Sequence, residues 1–123
     1  MKAFTQMTDD INPLHIDDDY AKRKGFDGRV VYGMLTSSFY STLVGMYLPG
    51  KYSLLHSIDI SYHCPVYIGD ELTVYGEVSY KNEAYSQIEI TAYITNHKNK
   101  KISKSKIKVG ITSSLRSESN EKA

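Results

Sequence analysis

The chain has 123 residues, 41% of them hydrophobic and 24% charged. That balance suits one globular domain and excludes a disordered chain. Fifteen Lys and Arg against fourteen Asp and Glu leave a formal charge of +1, which gives no general electrostatic reason to hold nucleic acid or an anionic membrane. The single cysteine, Cys64, excludes an intrachain disulfide and a four-thiolate zinc site, and it fits a reducing cytoplasm.

Met1–Thr8 carries one Lys and no apolar run, so it does not read as a secretory leader. The first clear helix starts at an Asp17 N-cap, with Asp18 and Asp19 in its first turn and Lys22, Arg23 and Lys24 in its last. Gly25 stops it, so charge and caps both suit the helix dipole. Helix initiation accounts for the Asp triplet, whose spacing does not match a calcium loop. A longer helix is expected from Gly33 to Leu48, ended by Pro49-Gly50. Leu35, Phe39, Leu43 and Met46 or Tyr47 form its apolar stripe. This stretch is too short and too rich in Ser, Thr and Gly to span a bilayer.

Four strands follow. Ser53–Tyr62 carries Ile58, Ile60 and Tyr62 at period two, and Pro65 closes the segment. Glu71–Tyr80 alternates Leu72, Val74, Val78 and Tyr80 with polar residues, and Lys81-Asn82-Glu83 reads as a turn. Tyr85–Thr95 alternates around Ile88, Ile90, Ala92 and Ile94, before a turn at 96–100. Lys101–Thr112 puts Lys104, Lys106 and Lys108 on one face and Ile107, Val109 and Ile111 on the other. The Lys row suits the solvated face of an edge strand better than a phosphate site. Clean alternation implies an antiparallel sheet with one dry face, and Gly33–Leu48 is the helix available to cover it. The pattern is α+β, a meander wrapped on a helix over residues 1–112, followed by a polar, frayed tail at 113–123.

The chemistry concentrates in Asp10-Ile11-Asn12-Pro13-Leu14-His15. Asn12-Pro13 forces a turn, which brings a carboxylate and an imidazole back toward one another. Such a pair can hold a water and move its proton. The same spacing also fits an Asx-turn with a hydrogen-bonded His. Gly33 opens the long helix, where unpaired N–H groups at the positive end of the dipole can stabilise a developing oxyanion. Ser41, two turns on, would need a polar partner if buried.

With these residues in view, the chain resembles the MaoC-like, (R)-specific enoyl-CoA hydratases. The first motif is Asp10 to His15 followed five residues later by Ala21. The likeness continues through 25–35, Ser38-Phe39-Tyr40-Ser41, Leu48-Pro49-Gly50 and Pro65 to Glu71. It implies a single hot-dog domain, a long helix wrapped by an antiparallel sheet, that pairs as a homodimer. It also implies a lyase hydrating 2-enoyl thioesters to (R)-3-hydroxyacyl thioesters, or the reverse. Asp10 and His15 would be the catalytic pair and the Gly33 N–H the oxyanion donor. Asn12 would shape the loop, and Ser41 and Tyr32 would support the site. No metal or cofactor is expected, because the coenzyme A or acyl-carrier-protein thioester supplies the activation. The acyl carrier protein is a possible partner, and the cytoplasm is the expected compartment.

Three departures stand out. Tyr32 occupies a position often held by His, Asp9 one often held by Gly, and only Met1–Asp9 precedes the motif. Ala3–Met7 reads as the stub of a leading helix, and a leading strand is expected to be missing or to lie upstream. Asp9 is expected to face solvent. Two alternatives remain open: a hot-dog acyl thioesterase and a non-catalytic acyl-binding module. His56, His63, His97 and Cys64 are read as structural or surface residues.

Overall fold

The computed structural model describes residues 1–112; the polar tail lies outside them. Four helices come first: α1 (Lys2–Thr8), α2 (Pro13–Ile16), α3 (Asp18–Arg23) and α4 (Gly33–Met46). Four strands follow: β1 (Ser53–Tyr62), β2 (Leu72–Asn82), β3 (Gln87–Asn96) and β4 (Lys101–Ile111). All neighbours in the sheet are antiparallel, in the order β1-β4-β3-β2. Strands β2, β3 and β4 form the expected meander. β1 departs from it by pairing with β4, from Ser53↔Ile111 to Tyr62↔Ser103, instead of with its sequence neighbour β2. Tyr62 and Leu72 are joined by a loop that crosses the molecule, and its Val66 carbonyl receives the Val31 amide at 2.7 Å.

Alternation decides the core. Ile88, Ile90, Ala92 and Ile94 of β3 and Ile102, Ile107 and Val109 of β4 are buried, while Lys104, Lys106 and Lys108 face outward. Lys108 lies 3.8 Å from Glu89, and Lys106 pairs with Asp59 in register. The Lys row is therefore a solvated face with acidic neighbours. The turn expected at 81–83 comes later: β2 runs to Asn82, and a single 3-10 turn at Glu83–Tyr85 ends on Ser86 in the left-handed region.

Helix α4 covers the dry face, but not with the expected stripe. Its buried residues are Thr36, Ser37, Tyr40 and Val44, while Phe39, Met46 and Tyr47 are exposed and Leu43 is half-buried. The small Thr36 and Ser37 let the backbone approach the sheet, and Tyr40 spans the gap. The Tyr40 hydroxyl meets the Ser103 Oγ at 2.7 Å, so a buried polar tip is satisfied. On the flank Gly76 makes room: a Cβ there would stand 2.6 Å from Leu43 Cδ2. The helix stops at Met46, two residues before the expected end. The Tyr47 and Leu48 amides both turn back to the Leu43 carbonyl, and Pro49 disfavours helix at the residue before it.

Candidate active site

The Asp10–His15 loop is shaped by its own side chains. Asp10 Oδ1 accepts from the Asn12 amide at 3.1 Å, and Asn12 Oδ1 accepts from the Leu14 amide at 3.0 Å. Asn12 thus caps α2, whose first position is Pro13, where no N–H is needed. The Asx-turn uses one carboxylate oxygen of Asp10 and leaves the other without a hydrogen bond among the described residues. Asp10 is exposed.

His15 is half-buried, and its Nδ1 lies 2.7 Å from the Val30 carbonyl oxygen. A carbonyl only accepts, so Nδ1 carries the proton and Nε2 of the neutral ring carries the lone pair. Val30 is itself fixed. Its amide donates to the Leu14 carbonyl at 3.0 Å, and it forms an isolated bridge with Tyr67. Upstream, α3 is capped by Asp17, whose carboxylate accepts from the Tyr20 amide. Asp18 then receives the Arg29 amide at 2.9 Å, which holds the 25–32 loop against α3. Three of the blocks that carried the family resemblance, at 10–21, 25–35 and 65–71, therefore meet here in space.

At the start of α4 the Leu35 and Thr36 amides close on the Tyr32 carbonyl at 3.1 and 3.2 Å. The Gly33 and Met34 amides precede any possible partner within the helix. Tyr32 is buried, and its hydroxyl donates to the Asp10 carbonyl at 2.6 Å and lies 2.8 Å from Thr5 Oγ1. Its ring stacks on His15 at 4.1 Å and leans on Phe4 at 4.8 Å.

Asp10, His15, Tyr32 and Gly33 line one cleft of about 560 Å³, together with residues of α1, Met34 and Tyr62. A second cleft of about 310 Å³ adjoins it, sharing His15, Gly33 and Tyr62. This one is walled by apolar Phe26, Val31, Val66 and Ile102, with His63 and Cys64 at its edge. Asp9 is exposed, as expected, and sits in the left-handed region after α1. Among the described residues no three His, Cys, Asp or Glu side chains come together as a metal site.

Ser41 is not brought into the site. It is exposed and lines neither cleft, because it lies one residue, about 100° of helix rotation, past the sheet-facing Tyr40. The helix serine that bonds a cleft-lining residue is Ser37, whose hydroxyl meets the Tyr62 hydroxyl. Tyr62 itself was not among the expected site residues. Its ring covers Gly33 so closely that a Cβ there would stand 3.1 Å from Tyr62 Cε1. The contact joins residues 29 positions apart, which no local spacing signals.

A four-stranded antiparallel sheet wrapped on one long helix, with the site at that helix's N-terminus, defines a hot-dog domain. The MaoC like domain family model matches residues 1–101, and the chain belongs to that family. It is similar to the (R)-hydratase of Aeromonas caviae involved in PHA biosynthesis, with a TM-score of 0.85 and 32% identity over 90% of this chain and 84% of that one. It is also similar to R-hydratase PhaJ1 of Pseudomonas aeruginosa, with a TM-score of 0.82 and 25% identity over 89% of this chain and 70% of that one. Among curated sequences it is 42% identical over 77 residues, 63% of this chain, to the (R)-specific enoyl-CoA hydratase of Aeromonas caviae. It is 39% identical over 72 residues, 58% of this chain, to a mitochondrial 3-hydroxyacyl-[acyl-carrier-protein] dehydratase of Arabidopsis thaliana. The chain spans 58% and 42% of the lengths of these two relatives. No helix among the described residues is long and apolar enough to cross a membrane.

Proposed function

We propose that this protein is a hydro-lyase that adds water to 2-enoyl thioesters, giving (R)-3-hydroxyacyl thioesters, or removes it in the reverse direction. The observation that carries the reading is the sharing of one cleft by Asp10, His15 and the Gly33 amide, with the His15 tautomer set by Val30. The thioester carbonyl oxygen sits on the Gly33 N–H, so C3 becomes electrophilic and C2 can take up negative charge. A water held by His15 Nε2 and the free Asp10 oxygen gives its hydroxyl to C3 as the pair takes its proton. A proton returns to C2, and the pair ends as it began. The thioester supplies the activation, so the cycle runs without a metal or redox cofactor.

The carrier is coenzyme A or acyl carrier protein, in keeping with the names of the two curated relatives. A homodimer joined at the β1 edge suits the surface. β1 is an edge strand of 10 residues, paired only with β4, that exposes Leu54, Leu55, Ile58 and Tyr62, whereas the opposite edge, β2, exposes Tyr75 and Tyr80 among polar residues. With one cysteine and no pairing partner for it, the cytoplasm is the compartment this reading assigns.

The test is loss of enoyl absorbance from crotonyl-CoA, and from its acyl-carrier-protein counterpart, by wild type, Asp10→Asn and His15→Ala. Each variant should lose about 10²- to 10⁴-fold in turnover while staying folded, as measured by circular dichroism. Asn keeps the oxygen that accepts from the Asn12 amide, so the loop should survive the first change. Unaltered turnover in both variants rules out this pairing. Release of free thiol with the enoyl bond intact identifies a thioesterase instead.

A further inference from the structure

We infer that Tyr32 is a positioning residue that holds Asp10 and His15 in register with the Gly33 amide, and that it does so through its hydroxyl. The claim rests on the hydratase reading above and deepens it.

Four separate pieces of chain build the site: α1, the Asp10 loop, α2 and the start of α4. Contacts between them are sparse, since α1 carries no buried residue and Asp10 is exposed. Tyr32 touches all four. Its backbone caps α4 directly before Gly33. Its hydroxyl donates to the Asp10 carbonyl at 2.6 Å, which uses its single proton. The oxygen is then left to accept, and the Thr5 hydroxyl lies 2.8 Å away with its one proton shared between this oxygen and the Met1 carbonyl at 3.0 Å, which ties in α1. Its ring stacks on the His15 imidazole at 4.1 Å, with an interplanar angle of 29°, and packs Phe4 on another side. The ring is 2% exposed, so these bonds form without competition from water.

The consequence is geometric. Asp10 has no other long-range hydrogen bond among the described residues: its remaining bonds run to Thr8 and Asn12, within two positions. The Tyr32 hydroxyl is therefore what relates the carboxylate to the rest of the fold. His15 is held from two directions, by the Val30 carbonyl in the ring plane and by the Tyr32 ring against its face. Catalytic water needs both groups placed together, and a misplacement of about 1 Å can cost about 100-fold in rate. A phenol here acts by direction alone, because its one proton is committed to the Asp10 carbonyl.

The decisive variant is Tyr32→Phe, which keeps the ring stack and removes both hydroxyl bonds. Turnover of crotonyl-CoA should fall at least tenfold with KM within about twofold of wild type, at a temperature where both proteins are fully folded. Thr5→Val, which leaves the phenol and its bond to Asp10, should lose less turnover in the same manner. The second readout does not need substrate: the Asn12 amide, bonded to the Asp10 carboxylate, should exchange with solvent faster in Tyr32→Phe than in wild type, while the His15 ring stays Nδ1-protonated on Val30. Wild-type turnover and unchanged Asn12 amide exchange in Tyr32→Phe, whatever its melting temperature, overturn the inference and make Tyr32 a packing residue. A wild type that does not hydrate crotonyl-CoA overturns the hydratase reading, and the Asn12 amide exchange alone then decides the positioning claim.

Discussion

Gly33 concentrates three demands in one residue. It opens α4, where its amide has no partner within the helix, it lines the cleft, and it lies under the Tyr62 ring. The oxyanion-donor role proposed for it can be isolated because Pro is well accepted at the first helical position. Tyr32, with φ −52° and ψ 128°, already has the backbone that a residue before proline needs. Gly33→Pro should therefore fold, lose the N–H while adding a Cβ toward Tyr62, and lower kcat by about 10²- to 10³-fold. Gly33→Ala is the control: it carries the same Cβ toward Tyr62 but keeps the donor. Steady-state kinetics in which both variants lose equal activity would assign the effect to the Tyr62 contact and not to the amide.

The residue types in the motif were readable from the sequence because each acts locally. Asp10, Asn12, Pro13 and Gly33 shape the next one to four residues, and they sit where the spacing placed them. Tyr62, Ser37 and the Val30 carbonyl were not readable in that way. Each reaches the site across 15 or more positions, or through a main-chain atom that every residue type shares.

At the scale of elements, the contact between α4 and β4 is made by a hydrogen-bonded pair as well as by apolar packing. Tyr40→Phe would leave the Ser103 hydroxyl buried without its partner, a loss of about 1–3 kcal/mol. The pair also gives stability an alkaline limit. Burial pushes the Tyr40 hydroxyl above its usual 10, partly countered by the Ser103 hydrogen bond, and the nearby Tyr62 raises it further. The unfolded chain then releases this proton first as pH rises. The Tyr40 contribution is complete below about pH 10 and declines as pH climbs from there through the folded value. Urea unfolding between about pH 8 and 11 should show wild type losing stability faster than Tyr40→Phe, so that the gap between them narrows. A constant gap would mean that Tyr40 titrates alike in both states.

The helix also shows why a stripe of large apolar residues can mislead. Phe39, Met46 and Tyr47 recur at helical spacing yet stand on the exposed side, while Thr36, Ser37 and Tyr40 face the sheet. Periodicity identifies a helix but does not say which face meets the sheet when small polar residues permit a closer approach.

For the whole molecule, the two sheet edges differ. The outward β1 edge is the more apolar, and Tyr62 at its end lines both clefts, so a partner docked along β1 would lie beside the site. Sedimentation velocity should find a dimer for wild type and a monomer for the double change Leu54→Lys and Ile58→Lys, which puts two charges on that edge. A monomeric wild type would refute the dimer, and a dimeric double variant would move the interface away from β1.

By itself the sequence determined helix α3 with its Asp17 cap, the start of α4, the alternation of β3 and β4 and the loop that carries Asp10 and His15. These depend on φ preferences, on side chains bonding their own backbone and on periodicity, all of which act over a few residues. The tertiary structure alone decided that β1 pairs with β4, which face of α4 is buried, that Ser41 stays outside the clefts, and that Tyr32 closes on the Asp10 loop and Tyr62 on Gly33. Those outcomes depend on contacts between segments distant along the chain, where shape, burial and hydrogen-bond satisfaction are settled only when the pieces meet.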